Sequence, residues 1–408
     1  MRLAILAATA ALATGVRGAN VLITNDDGFG TANIRELYHA MRALGHNCYI
    51  VASSTDQSAQ GGRIVFTNNA KLTDDAEFGI VKKGAPSIGT DPADDHIWYY
   101  NGSPAVQVLV ALDYVLPTFA NFSTPDLVLA GPNYGLNDGP FLYTMSGTMG
   151  ATYTAVGRGI PAMAFAAVYG THTPYYRTNA STTAGLQDPA TITGRLAANL
   201  AQAFIDKAAA RNKDNNSGGG RILPLGYGVS VNIPFITSFT DATCVNPPFV
   251  RARINGGGAF TSSAVYDRAK KTFGPANHVD DGVTTCVNGD CSLPSEAEVL
   301  NAGCQSSVVL FTNDYDAPYA GGHNSGSLAD PYSALLPDLV QPHNATELVG
   351  GLGRNASVQG TTAGGASVAA LSSSSSSSSK QSNGSQRSQA PSVLLWLVSV
   401  AGVAVCLT

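Results

Sequence analysis

The run Thr24-Asn25-Asp26-Asp27-Gly28 follows directly on the apolar stretch Asn20-Val21-Leu22-Ile23. Two adjacent carboxylates at the end of a buried strand are costly. Each must find an opposite charge, strong hydrogen bonds or a metal ion. Three further segments carry polar groups in comparable places: Asp56-Gln57-Ser58 with the glycines after it, Gly131-Pro132-Asn133-Tyr134-Gly135-Leu136-Asn137, and Ser146-Gly147-Thr148. In a parallel sheet the C-terminal ends of neighbouring strands converge on one edge. Asp26, Asp27, Ser58 and Asn133 are therefore expected to meet there. All four offer oxygen donors, and such a set with two carboxylates suits Mg²⁺, Mn²⁺ or Ca²⁺ rather than zinc. Ser146-Gly147-Thr148 stands where a helix can begin. Backbone N–H groups there, with the hydroxyls and the helix dipole, form an anion cradle. A hard cation beside an anion cradle suits phosphoryl transfer.

Such a site needs a scaffold of strands and helices in alternation. Ile34, Leu37, Tyr38, Met41 and Leu44 recur at helical spacing over 31–44, and Gly45 ends the pattern. A strand-like run follows at 49–52, so the chain opens as a βαβ unit and a parallel sheet is expected. Further strands are expected at 125–131, 161–167, 227–234 and 306–312. Helices are expected at 103–115, 146–157 and 191–211. Val308 to Asp314 echoes Val21 to Asp26, but the flanking residues do not match, so it reads as coincidence. The fold class is α/β: a Rossmann-like, mostly parallel sheet flanked by helices, with a disulfide-bearing C-terminal extension.

Both ends of the 408-residue chain read as processing signals. Met1-Arg2 precedes an alanine-rich apolar run, and small residues allow cleavage after Gly15 or Gly18. Residues 1–18 are expected to be a secretory signal peptide. The domain proper is expected at 19–335, followed by a Ser/Gly-rich stalk at 336–385 that includes the serine tract Ser372 to Ser379. Residues 386–408 end in an apolar run with no basic residue after it. That run is shorter than the roughly 20 residues a span usually needs. It reads as a GPI-attachment signal, with Asn383 or a neighbour as the attachment residue. The expected location is the extracellular face of the plasma membrane or the cell wall, with membrane contact only through the lipid.

Cysteine usage agrees with secretion. Of six cysteines, Cys406 lies in the tail and Cys48 in a buried strand-like run. Cys244, Cys286, Cys291 and Cys304 suggest two disulfides. Cys244 with Cys304 and Cys286 with Cys291 is one of three pairings. The Asn-x-Ser/Thr sequons at Asn121, Asn179, Asn215, Asn344, Asn355 and Asn383 mark expected surface loops. The formal net charge is −5, charged residues are only 12% of the chain, and no Lys/Arg-rich run occurs, so no nucleic-acid polymer is expected as a partner.

Taken in order, these motifs resemble the SurE-like phosphatase/5′-nucleotidase family. The resemblance is carried by Leu22 to Gly28, Asp56-Gln57-Ser58, Asn101-Gly102-Ser103-Pro104, Pro125 to Asn137, and Ser146 to Gly150 followed by Gly159-Ile160-Pro161. With its secretion and anchor signals, the chain resembles a fungal acid phosphatase of that family. The resemblance implies a divalent metal, Mg²⁺ or Mn²⁺, held by Asp26, Asp27, Ser58 and Asn133. It implies phosphate contacts from Asn137, Ser146, Gly147 and Thr148, with Ser103 beside the substrate. Asp26 and Asp27 would also serve catalysis. The implied substrate is a small phosphomonoester, and a homodimer is a family habit. Ser103 stands where the family has Thr, Pro132 where it has an aliphatic residue, and Ala59 where it often has Gly.

Two rival readings remain. A dinucleotide enzyme would want Gly-x-Gly-x-x-Gly after the first strand, where Asp26 and Asp27 would repel a pyrophosphate. A non-enzymatic cell-wall or adhesive protein suits the anchor and stalk, but needs no acids, amides and hydroxyls at strand ends. His39 and His46 are expected to pack or cap a helix, His96 is given no role, and Arg63 faces either phosphate or solvent.

Overall fold

The computed structural model describes residues 18–167, 171–179, 186–215, 220–236, 244–259, 262–277 and 290–315. All but the last residue of the expected signal peptide at 1–18, the expected stalk, the expected GPI signal and Cys286 lie outside the described residues. Among the described residues no helix is long and apolar enough to cross a membrane.

The chain begins β1 (Asn20–Thr24), α1 (Ala32–Ala43), β2 (Asn47–Ser53), β3 (Ile88–Asp91), β4 (Asp94–Tyr100) and α2 (Pro104–Val110). One π-turn at Ala111–Val115 links α2 to α3 (Leu116–Phe119). Then come β5 (Leu127–Tyr134), α4 (Gly139–Met145), α5 (Gly147–Gly157), β6 (Ala162–Ala167), α6 (Pro189–Asn215) and β7 (Tyr227–Ile233). The last elements are β8 (Phe249–Arg251), β9 (Ser262–Asp267), β10 (Thr272–Asn277), α7 (Glu296–Asn301) and β11 (Ser306–Thr312).

Nine strands form one sheet in the order β3-β4-β2-β1-β5-β6-β7-β11-β8, and β9 with β10 forms a separate hairpin. From β4 through β7 every neighbouring pair is parallel. Only β3 with β4 and β7 with β11 run antiparallel. The apolar runs predict this burial. Alternate residues of β1 point to opposite faces: Val21 and Ile23 join one core layer, and Leu22 joins the other. Strands with helices on both faces read as continuous apolar runs, as β6 does in Ala162–Ala167. The first layer packs under α1 and α6, and the second under α2 and α5.

The chain leaves β1 toward β2 on one side and returns as β5 on the other. That reversal opens a crevice at the C-terminal ends of β1 and β5, where open α/β sheets bind ligands. Asp26-Asp27 and Asn133 are at this crevice.

Several expectations need correction. The 131–134 segment was expected as loop, but β5 continues through a cis Gly131–Pro132 peptide and a register shift to Tyr134. His96 lies in β4 rather than in a loop. The expected disulfide-bearing C-terminal extension is present, and its β11 and β8 complete the main sheet. Cys244 pairs with Cys304, Cys291 is also disulfide-bonded, and Cys48 is a buried free thiol. The echo at 308–314 leads nowhere near the crevice. Because β11 runs antiparallel to β7, its C-terminal end lies at the opposite edge.

Candidate active site

Asp26 and Asp27 emerge from β1 into a tight turn. Asn25 holds that turn: Gly28 N–H donates to Asn25 Oδ1 at 3.2 Å, and Asn25 Nδ2 donates to Gly28 O at 3.1 Å. Gly28 has φ +108°, and a Cβ there would lie 2.2 Å from Glu77 Oε2. Only glycine allows both this backbone and that approach.

Both aspartates are buried, at 2% and 0% exposure. Asp26 accepts from Thr148 twice, from the backbone N–H at 3.0 Å and from the hydroxyl at 2.5 Å. Thr148 is in the first turn of α5, so the positive end of that helix meets Asp26. Contact is close enough that a Cβ on Gly147 would sit 2.8 Å from Asp26 Oδ2. Burial, and then the charge of Asp27, push the Asp26 carboxyl up to about 7 despite the bonds from Thr148. Asp27 Oδ2 accepts from Tyr134 N–H at 3.0 Å. Its Oδ1 has no hydrogen bond, although His172 Nε2 lies 3.1 Å away as an ion pair. Burial raises the Asp27 carboxyl too, with His172 opposing.

His172 bridges two acids, for its Nδ1 is 3.0 Å from Glu77 Oε1. Burial disfavours its charged form, but Asp27 and Glu77 prevail and raise it to about 10. Ligand atoms of Asp27, Asp56 and His172 all lie within 4.8 Å of one another. On the other side of the pair, Asn133 Oδ1 is 3.4 Å from the Thr148 hydroxyl, while its amide donates to Gly135 O at 2.9 Å.

This arrangement fits a divalent cation. Two buried carboxylates side by side repel one another, and among the described residues the one cationic group facing Asp27 Oδ1 is His172, which is shared with Glu77. The oxygen donors are carboxylates and an amide, which suit a hard divalent cation, while the His172 imidazole is held between Asp27 and Glu77.

The structure brings Asp26, Asp27, Asn133, Ser146, Gly147 and Thr148 together at one edge. It assigns some of their groups unexpected partners. The Thr148 donors serve Asp26, and the Ser146 hydroxyl caps α5 by accepting from Met149 N–H at 3.1 Å. Ser58 is exposed and joins the cluster through Asp56, whose Oδ1 accepts from its hydroxyl at 2.7 Å and its N–H at 2.9 Å. The buried Ser103 hydroxyl donates to Arg63 O and accepts from Val65 N–H, which fixes the 63–65 segment. Asn137 is buried, and its amide nitrogen has no hydrogen-bond partner.

His46 packs as expected, whereas His39 is exposed and neither packs into the core nor caps. His39 pairs with Glu36 on the surface of α1, and buried His46 accepts from Ala19 N–H and meets Gln202. Exposed Arg63 donates to Gln60.

The model of the family described as Survival protein SurE matches residues 21–249 of this chain. The chain belongs to the SurE family. It is accordingly a hydrolase of the acid phosphatase/5′-nucleotidase type. An acid phosphatase of Yarrowia lipolytica is 40% identical over 303 residues, covering 74% of this chain and 81% of that protein. A 5′-nucleotidase SurE of Desulfovibrio desulfuricans is 36% identical over 146 residues, covering 36% of this chain and 48% of that protein. A SurE protein of Aquifex aeolicus superposes with a TM-score of 0.46 at 20% identity, covering 73% of this chain and 94% of that one.

Asp56, Glu77 and His172 are the members of this SurE site that sequence reasoning passed over. Asp56 stood inside a quoted motif without a role. Glu77 lies in a loop far from any strand end, and nothing local marks it. His172 did carry a signal: it follows the buried β6 run and so returns to the same sheet edge as the other site loops.

Proposed function

We propose that this protein hydrolyses phosphomonoesters, as an acid phosphatase or 5′-nucleotidase, with a divalent cation, Mg²⁺ or Mn²⁺. The observation that carries this reading is the buried Asp26–Asp27 pair, two adjacent carboxylates that face the N-terminus of α5 and Asn133. Asp26, Asp27 and Asn133 would hold the cation, with Ser58 and Asp56 closing one side and His172 adjoining Asp27. When bound, the cation supplies Lewis-acid stabilisation of phosphate oxygens. Thr148 locks Asp26 in place, and Tyr134 N–H does the same for Asp27. The Asn137 amide, the Ser146 hydroxyl and the Gly147 N–H would supply hydrogen-bond donors for the remaining phosphate oxygens, since the Thr148 donors serve Asp26. Asp26 or Asp27 orients the attacking water and accepts its proton.

The leader-like start, the anchor-like end and the Cys244–Cys304 bond support a second part of the proposal. The enzyme works outside the cell, held at the surface by a GPI lipid. Asn121 and Asn179 are exposed, as carriers of N-linked glycans must be.

The test is release of inorganic phosphate from p-nitrophenyl phosphate and from AMP by the purified protein. Activity is expected with Mg²⁺ or Mn²⁺, to be abolished by EDTA and restored by excess cation. Activity that persists through exhaustive EDTA treatment would refute the metal-dependent reading.

A further inference from the structure

A second buried carboxylate lies one layer behind the site. Glu296 opens α7 and is 1% exposed. Its Oε1 accepts from Asn232 Nδ2 at 2.9 Å, and its Oε2 accepts from Gly139 N–H at 3.1 Å. Asn232, fully buried in β7, turns its own Oδ1 to accept from Asn137 N–H at 2.8 Å. One carboxylate thus governs two backbone N–H groups of a single turn, one directly and one through an amide. The partners in these three bonds are 64 to 157 positions apart in sequence. α7 is itself firmly set: Ser295 and Glu298 form a reciprocal capping box, and Glu296 N–H donates to Arg253 O at 3.0 Å.

Burying a carboxylate is expensive unless its lone pairs are used. A helix start favours acids, but an exposed one such as Glu298 meets that preference, and none need be 1% exposed. What this carboxylate accomplishes is to fix the backbone on both sides of Asp138, and so to aim Asn137. The Asn137 amide nitrogen is buried and has no hydrogen-bond partner of its own. We propose that Glu296, acting through Asn232, is a positioning residue for phosphate: it holds the 137–139 turn so that the Asn137 amide meets a phosphate oxygen. This rests on the reading of Asn137 as a phosphate contact.

The hydrogen-bond directions supply a stringent test. Both Glu296 oxygens accept, and an un-ionised carboxyl would still offer a lone pair at its hydroxyl oxygen. An amide nitrogen cannot accept, so Glu296→Gln must set a donor against a donor. Pairing it with Asn232→Asp reverses the middle bond and restores all three. The new carboxylate at 232 accepts from Asn137 N–H and from the new amide at 296, whose oxygen accepts from Gly139 N–H.

The experiment compares the wild type, E296Q and N232D/E296Q. It measures kcat and KM for p-nitrophenyl phosphate, the inhibition constant of inorganic phosphate, the Mn²⁺ dissociation constant and the melting temperature. E296Q is expected to weaken phosphate inhibition and lower kcat/KM by roughly tenfold, the usual scale for losing an outer supporting hydrogen bond. Its Mn²⁺ affinity should stay within about twofold of wild type, and the double variant should recover to within about threefold. A folded E296Q with unchanged phosphate affinity overturns the proposal, as does one whose main defect is in Mn²⁺ binding. If E296Q does not fold, the folded double variant decides: near-wild-type phosphate affinity supports the proposal, and loss of it overturns it. A wild type that is neither active nor inhibited by phosphate refutes the phosphatase reading itself, and this inference with it.

Discussion

Of the four pairs of adjacent aspartates in the chain, Asp26-Asp27 and Asp94-Asp95 each have a histidine nitrogen 3.1 Å from a carboxylate oxygen. The latter pair sits at the start of β4, at the edge of the sheet opposite the crevice. There the Asp95 side chain is 91% exposed, and His96 lies 3.1 Å from it in solvent. Burial alone would raise Asp94, but bonds from His96 N–H and Tyr38 hold its carboxyl below the ordinary range. At the crevice the balance reverses, and burial keeps Asp26 at about 7. The residue types are the same, yet one pair is exposed or answered by neighbouring donors while the other is buried side by side at the crevice. Burial against a strand end, more than the presence of acids, marks the functional pair.

The sharpest way to break this comparison is to neutralise each pair in turn. Asp26→Asn or Asp27→Asn should lower kcat/KM on the order of a thousandfold, the scale for losing a central electrostatic group. Asp94→Asn with Asp95→Asn should leave kcat/KM within about twofold, since exposed pairs contribute little. Comparable losses from both would show that the acids act through net charge rather than through a site. The histidines offer a milder contrast. His172→Ala should weaken Mn²⁺ binding by roughly 10- to 100-fold, as expected for a group that braces a ligand, and His96→Ala should not change it. Direct metal titration reads both.

A smaller effect concerns Glu296, whose carboxyl is raised by burial to about 8 from an ordinary 4.5. Between those values the folded state holds a proton that the unfolded state has released. This group's contribution to stability must therefore fall as pH rises through that window, by about 1.4 kcal/mol per pH unit at most. Denaturant melts of wild type and E296Q from pH 5 to 8 should differ in slope accordingly. Parallel slopes would mean that Glu296 is ionised throughout.

Much of this was legible in the sequence, for identifiable reasons. β1, β2, β5, β6 and β7 announce themselves because strands covered on both faces are mostly apolar, and β11, with Leu310 57% exposed, by its β-branched and aromatic run. The acids and amides stand out because they interrupt such runs. β3 and β4 were missed because Asp91 to His96 reads as a polar loop, although the Arg35–Asp91 ion pair is buried against α1. α4 was obscured by Gly139-Pro140 at its start. α7 had a legible signature in Ser295 and Glu298, but its six residues are too short for periodicity to show. The partnerships of the site were not legible at all. Glu77 with His172, and Glu296 with Asn232, join residues 95 and 64 positions apart, and only the folded chain brings them together. Ser58 shows the opposite limit: its motif was plain, whereas its hydroxyl bond to Asp56 was not.

The central claim is that Asp26 and Asp27 hold a divalent cation at the crevice. Calorimetric titration of the EDTA-treated, dialysed protein with Mn²⁺ tests it most directly, with D27N and D94N/D95N alongside. The account predicts one ion bound per chain by the wild type and by D94N/D95N, and none at the same concentrations by folded D27N. Equal binding by D27N and wild type, or no binding by the wild type, would contradict it.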